Sequence, residues 1–196
     1  MKYLITIEHP AWAHQFRPVI EKLLDKGHDV KVLVIDQEVT SKLLEKFGIK
    51  YVKIGNSTGS NVLDKSWIFF HSTLSILWNS FFFKTDGFIG RASPMVAIAS
   101  FFLRKPHIIY EDTERSTIAL WFCKRISKII ITPKFFNLDL GNCHVRTDSF
   151  KELFYLHKNS FIPDPRVLDT LGLSQGENFV LIRYIAWNAS HDMGEQ

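Results

Sequence analysis

The residues best equipped for chemistry fall in two short clusters. Arg91 and Ser93 follow the apolar run Gly87-Phe88-Ile89-Gly90, and Glu111, Asp112, Glu114 and Arg115 follow His107-Ile108-Ile109-Tyr110. A guanidinium presents a rigid fork of donors that suits a diphosphate or a carboxylate. Grouped carboxylates can hold a general base or accept two hydrogen bonds from a sugar diol. The same residues also have structural uses. The acids can cap the helix that follows and complement its dipole, and Arg91 can pair with Glu111 or Asp112 in a purely structural ion pair. His14 can act as a base or bind an anion at a helix start, or serve as a surface or capping residue. Arg183, His191 and Asp192 form a last polar group near the end of the chain.

These clusters need strands to carry them. Residues 3–7, 30–35 and 49–54 read as strands, with helices between them marked by Phe16, Val19, Ile20, Leu23 and Leu24 and by Val39, Leu43, Leu44 and Phe47. Residues 8–14 read as a loop, with Pro18 in the first turn of the following helix and Gly27 at its left-handed end. Such alternation predicts an α/β fold with a doubly wound parallel sheet. The run to Ile89 and the run to Tyr110 are then neighbouring strands, with Gly90 giving a sharp turn and Ser93-Pro94 starting a helix. That helix is expected to bury Met95, Ile98, Ala99 and Phe102, and the next one Ile118, Ala119, Phe122 and Ile126. Ligands in open parallel sheets bind outside the carboxyl ends of strands, which is where both clusters lie.

Residues 55–61 form a polar loop able to reach over such a site. Residues 67–83, opening on Trp67 and closing on Phe83, are the most apolar stretch, yet His71, Ser72, Thr73, Ser75, Asn79 and Ser80 interrupt it as a membrane span. It reads either as a sheet-covering helix or as an interfacial helix, with Lys65 and Lys84 near anionic headgroups at the inner face of a membrane. A strand follows at residues 128–132. Residues 134–164 lose periodicity and read as a long crossover, after which come a short helix to Leu171 and a strand at 179–184. The expected division is a domain at 1–160 and the start of a second at 161–196, the chain stopping before that second domain is built.

An apolar share of 46% against 22% charged residues supports a real core, and a net charge of +4 with scattered cations argues against nucleic acid as partner. Cys123 and Cys143 have neither metal spacing nor a disulfide framework, which makes a reducing cytoplasm the default. No signal-peptide pattern opens the chain. No metal is expected: His107, His144 and His157 lack partners at ligand spacing. No phosphate-cradling glycine motif is present.

Four motifs carry a resemblance: Gly90-Arg91-Ala92-Ser93-Pro94, Tyr110-Glu111-Asp112-Thr113-Glu114, Phe150-Lys151-Glu152-Leu153-Phe154-Tyr155-Leu156-His157, and Arg183-Tyr184-Ile185-Ala186-Trp187-Asn188-Ala189-Ser190-His191-Asp192. They resemble the prokaryotic family called domain of unknown function 354, which is similar to GT-B glycosyltransferases and UDP-N-acetylglucosamine 2-epimerases. The opening, with His14, Pro18 and Gly27-His28-Asp29-Val30, is similar to the first βαβ unit of GT-B enzymes. The resemblance implies two Rossmann-like domains with the site between them, this chain supplying the first. It implies a nucleotide sugar such as UDP-GlcNAc as substrate, no further cofactor, and a catalytic role for Glu111, with Asp112 and His14 the other catalytic candidates among the residues themselves. Arg91, Ser93, Glu114, Arg115, Arg183, His191 and Asp192 would bind substrate. The similar epimerases use an acid after the glycine that aligns with Gly90, where this chain has Arg91. Glycosyl transfer is therefore the expected activity ahead of epimerisation. The alternative is a non-catalytic half that pairs with a separate C-terminal half or docks on a membrane.

Overall fold

Strands that are apolar on both faces need cover on both, and parallel pairing through helical crossovers supplies it. The computed structural model describes residues 1–36, 38–56, 61–159 and 161–182. Among these, seven strands form one parallel sheet: β1 (Lys2–Ile7), β2 (Asp29–Asp36), β3 (Tyr51–Asn56), β4 (Gly87–Gly90), β5 (His107–Tyr110), β6 (Ile129–Pro133) and β7 (His144–Thr147). Their order is β3-β2-β1-β4-β5-β6-β7. The winding reverses between β1 and β4, which opens a crevice at the carboxyl ends of that pair.

Successive strand residues point to opposite faces, and the core divides accordingly. Leu4, Leu33 and Phe88 pack on one side with Ile76 of α3 (Val62–Phe83) and with Val96 and Ala99 of α4 (Pro94–Leu103). Ile5, Val32 and Val34 pack on the other with Phe16 and Ile20 of α1 (Pro10–Asp25) and Leu44 of α2 (Glu38–Lys46). A third cluster joins Ile109 and Ile130 to Leu120 and Cys123 of α5 (Thr117–Cys123).

Several local expectations shift. Helix α1 starts at Pro10, so residues 10–14 are helical and His14 stands in its second turn. Pro18 is consequently interior, where it supplies no N–H for the His14 carbonyl. Helix α4 buries Val96, Ala97, Ala99 and Ser100 and leaves Phe102 70% exposed. A helix apolar all round has no stripe from which its inner face can be read. Helix α5 likewise buries Leu120 and Cys123 while Ile118 is exposed. Gly90 has no positive φ, and its role is close approach: a Cβ there would stand 3.2 Å from Thr6 Oγ1 on β1.

The stretch read as a long crossover contains β7 and the short α6 (Leu153–Leu156). Strand β7 pairs with β6 at the sheet edge, and its middle residues, Val145 and Arg146, are exposed. The chain divides into two units, residues 1–157 and 158–196. In the second, Asp164 accepts from the Arg166 backbone N–H at 3.1 Å to start α7 (Arg166–Thr170). Of the strand expected at 179–184, residues 179–182 are exposed and unpaired, and the rest lies outside the described residues. So do Arg183, His191, Asp192 and residues 57–60.

Candidate functional site

Register between β4 and β5 sets Gly90 opposite Ile109, so the residues that leave these strands emerge side by side. Arg91 Nε donates to Glu111 Oε2 at 3.3 Å and Arg91 Nη2 donates to Glu111 Oε1, a fork on one carboxylate. Nη2 also donates to Asp112 Oδ1 at 2.6 Å, and Nη1 to Gln15 Oε1 at 3.3 Å. The Trp12 ring lies 5.6 Å from the guanidinium carbon. A guanidinium has five N–H groups, so these bonds leave one, on Nη1. Arg91 is only 5% exposed and Glu111 2%.

Glu111 also accepts from the backbone N–H groups of Ala92 at 3.3 Å and of Asp112 and Thr113 at 3.2 Å. Its acceptor capacity is full. In this arrangement it fixes the turn after β5 and aims Arg91, and taking a proton would require it to release Arg91. Asp112 bridges Arg91 to Lys151, whose Nζ lies 2.9 Å from Oδ2. Burial alone would raise the Asp112 pKa, but Arg91 and Lys151 more than offset this and hold the carboxyl below its ordinary range.

From the other side of the switch point, Glu8 follows β1. Burial pushes its carboxyl up, and the Ser93 hydroxyl opposite offsets this only in part. The two do not close to hydrogen-bond geometry, so Glu8 Oε1 and Ser93 Oγ are both buried without a partner. Ser93 is the N-cap of α4 by position, yet its hydroxyl makes no cap bond. His9 caps α1 instead, its Nδ1 accepting from the Ala11 N–H at 3.2 Å, which assigns the proton of the neutral ring to Nε2. Burial, then Arg91 and Lys151, lower its pKa. Beneath the cluster, burial pushes the Cys123 thiol up to about 12, with Glu111 and Glu8 adding to the effect, so it is a poor nucleophile. Burial and Asp112 likewise raise Tyr110 to about 12.

The fold thus gathers Arg91, Ser93, Glu111 and Asp112. Glu114 is spent on the loop after β6, accepting from the Asn137 backbone N–H at 2.6 Å, and Arg115 is exposed on the turn past β5. His14 faces Phe47 at 5.3 Å and Tyr155 at 5.6 Å between ring centroids, with its pKa lowered by burial and then by Arg17. The α1 residues that touch Arg91 are its neighbour Gln15 and Trp12. Sequence reasoning passed over Glu8, His9, Gln15 and Lys151. The signal for Glu8 and His9 was their place directly after β1, and for Lys151 its place in the third motif. That motif borders the site: Lys151 reaches Asp112, and Phe154 packs edge-on against Tyr110 at 4.9 Å.

Two carboxyls with pKa values driven apart, Glu8 upward and Asp112 downward, are the arrangement from which acid and base roles separate. Around them stand the remaining Arg91 N–H, the His9 Nε2–H and the Ser93 hydroxyl. This set suits a polar ligand rich in hydroxyls.

Comparison with protein-family models and with curated proteins finds no match. Among solved structures, the chain is similar to MurG from Acinetobacter baumannii, with a TM-score of 0.62 at 17% identity over 75% of this chain and 46% of that one. It is also similar to a UDP-GlcNAc 2-epimerase from Neisseria meningitidis bound to UDP-GlcNAc, with a TM-score of 0.58 at 19% identity over 68% and 40%. Another UDP-N-acetylglucosamine 2-epimerase gives a TM-score of 0.67 at 14% identity over 88% and 55%. The chain spans about half the length of these structures. Their common ground with it is the fold, a Rossmann-like parallel α/β sheet of the GT-B kind.

Proposed function

We propose that the chain is one lobe of a GT-B-type enzyme acting on a nucleotide sugar such as UDP-GlcNAc by glycosyl transfer, in a divergent relative of the family called domain of unknown function 354. The observation that carries this reading is the buried fork of Arg91 on Glu111 and Asp112 beside the β1–β4 switch point. In it, Asp112 serves as the ionised carboxylate and Glu8 as the proton-bearing acid. Arg91, Ser93 and His9 hold hydroxyl or phosphate oxygens, and Glu111 keeps Arg91 aimed. His14, expected from the sequence to be catalytic, and Glu114 and Arg115, expected to bind substrate, would in this reading line the approach to this centre. Arg91 in place of an acid after Gly90 favours transfer over epimerisation.

A second reading is a non-catalytic half that pairs with a separate lobe. The test is UDP release from UDP-GlcNAc by the purified 196-residue chain. The expected result is no release above the spontaneous rate, because a single lobe holds one side of the substrate only. Measurable hydrolysis or transfer would contradict the one-lobe reading.

A further inference from the structure

We propose that the corner formed by the carboxyl-terminal ends of α3 and α4 docks on the surface of an anionic bilayer. Helix α3 is inverted relative to an ordinary sheet-covering helix. Its buried side carries Ser72, Thr73 and Ser80 around Ile76, while Trp78, Phe81 and Phe82 face outward. The Thr73 and Ser80 hydroxyls donate to carbonyls one turn back, at 2.7 and 2.6 Å, while the Ser72 hydroxyl is buried without a partner, so the inner face is built of small polar side chains. Close packing against the sheet follows: a Cβ on Gly55 would meet Ser72 Oγ at 2.9 Å.

Outside, Trp78 and Phe81 are each 67% exposed, and Trp78 stacks on Phe82 with ring centroids 4.4 Å apart. A groove of about 570 Å³ lined by Leu74, Trp78, Phe81 and Leu103 connects this ridge to α4. A second groove, of about 890 Å³, joins the exposed rings of Phe101 and Phe102 to Arg104, Lys105 and Lys128. An unpartnered aromatic surface of this kind marks an interaction site.

Charge identifies the occupant. Lys84 and Arg104 end α3 and α4 in left-handed conformations, φ 59° and 53°, where glycine is the usual residue. Accepting that strain at both helix ends fixes two cations beside the aromatic rings. Lys2 and Lys31 stand over Phe83 at 5.4 and 5.7 Å from the ring centroid. Two acids stand at this edge among the described residues: Asp86, 4.0 Å from Lys105, and the exposed Asp29, opposite Lys2 in the β1–β2 register; the cations outnumber them. Aromatic rings flanked by cations match the interface of an anionic leaflet, where rings enter the headgroup boundary and cations meet the lipid charge. A second copy bound through the same face would set these cations against one another. No helix among the described residues is long and apolar enough to cross a membrane. The sequence placed the cationic anchors at Lys65 and Lys84. Of these, Lys84 stands at this corner, where the fold adds Arg104, Lys105, Lys2, Lys31 and Lys128. The proposal stands apart from the catalytic reading.

The test is flotation of the purified chain with phosphatidylcholine vesicles, with and without phosphatidylglycerol, at low salt and in about 1 M salt. The expected result is binding that requires the anionic lipid and is lost in salt. Each cation contributes about fivefold, so Lys84→Gln/Arg104→Gln/Lys128→Gln weakens binding on the order of 100-fold. Trp78→Ser/Phe102→Ser weakens it at least tenfold, with an unchanged circular dichroism spectrum. Equal partition onto neutral vesicles, or no binding to either, overturns the proposal. So does a stable dimer that the aromatic variant dissolves while vesicle binding is unaffected.

Discussion

Arg91→Ala lowers the free energy of unfolding by about 3–5 kcal/mol, because it leaves the buried Glu111 carboxylate without the guanidinium that neutralises it and leaves Asp112 with Lys151 alone. Both partners are nearly sequestered from water, with side-chain exposures of 3% for Glu111 and 10% for Asp112. An exposed pair of the same geometry would contribute only about 0–1 kcal/mol. Gln15 loses a donor in the same substitution, and the turn after β5 loses the group around which Glu111 is held. The measurement is urea unfolding at neutral pH. Arg91→Met/Glu111→Gln/Asp112→Asn, which removes the charges of Arg91 and its two carboxylates while keeping volume, should recover much of the loss. A cost below about 1 kcal/mol for Arg91→Ala would mean that the cluster is solvated and loosely held.

The other large effect lies on the acid side of neutrality and is centred on His107. This residue is wholly buried at the start of β5, its Nδ1 3.2 Å from Ser127 Oγ and its Nε2 without a partner. Burial lowers its pKa from 6.5 to about 3. The unfolded chain therefore takes up the proton first as pH falls. Stability from this residue is complete above about 6.5 and declines steadily toward pH 3. At about 1.4 kcal/mol per pH unit the decline reaches about 5 kcal/mol, a large part of the stability of a typical domain. His9 adds in the same direction, since its pKa is also lowered and its protonation would break the α1 cap. Asp112 contributes stability above the ordinary carboxylate range, lost as pH falls through its depressed value. Subtracting the profile of His107→Phe/Ser127→Ala isolates the His107 share. Unfolding free energies that fall equally in parent and variant between pH 6.5 and 4 would show that His107 is protonated in place.

The sheet was legible because its strands are apolar runs bounded by Gly and Pro, and parallel crossovers leave few ways to assemble them. Arg91 beside Glu111 followed from the same logic, since neighbouring strand ends must deliver their next residues together. What escaped was set by packing. Helices α4 and α5 have no polar stripe to orient them, so Phe102 and Ile118 were assigned inward and lie outward. Strand β7 is a short edge strand with an exposed Arg146 and looks like loop. Glu8 is an ordinary loop acid until β1 is known to adjoin β4. Lys151 lies far from Asp112 in the chain and meets it only through the fold.

The central claim is that the ends of β1, β4 and β5 build one ligand site for a nucleotide sugar. It is tested most directly by amide chemical-shift mapping of the 196-residue chain during titration with UDP-GlcNAc. Saturable shifts with a dissociation constant in the millimolar range, gathered on His9, Arg91, Ala92, Ser93 and Asp112, are the predicted result. No shifts up to about 10 mM ligand, or shifts centred at the opposite edge of the sheet, would contradict it.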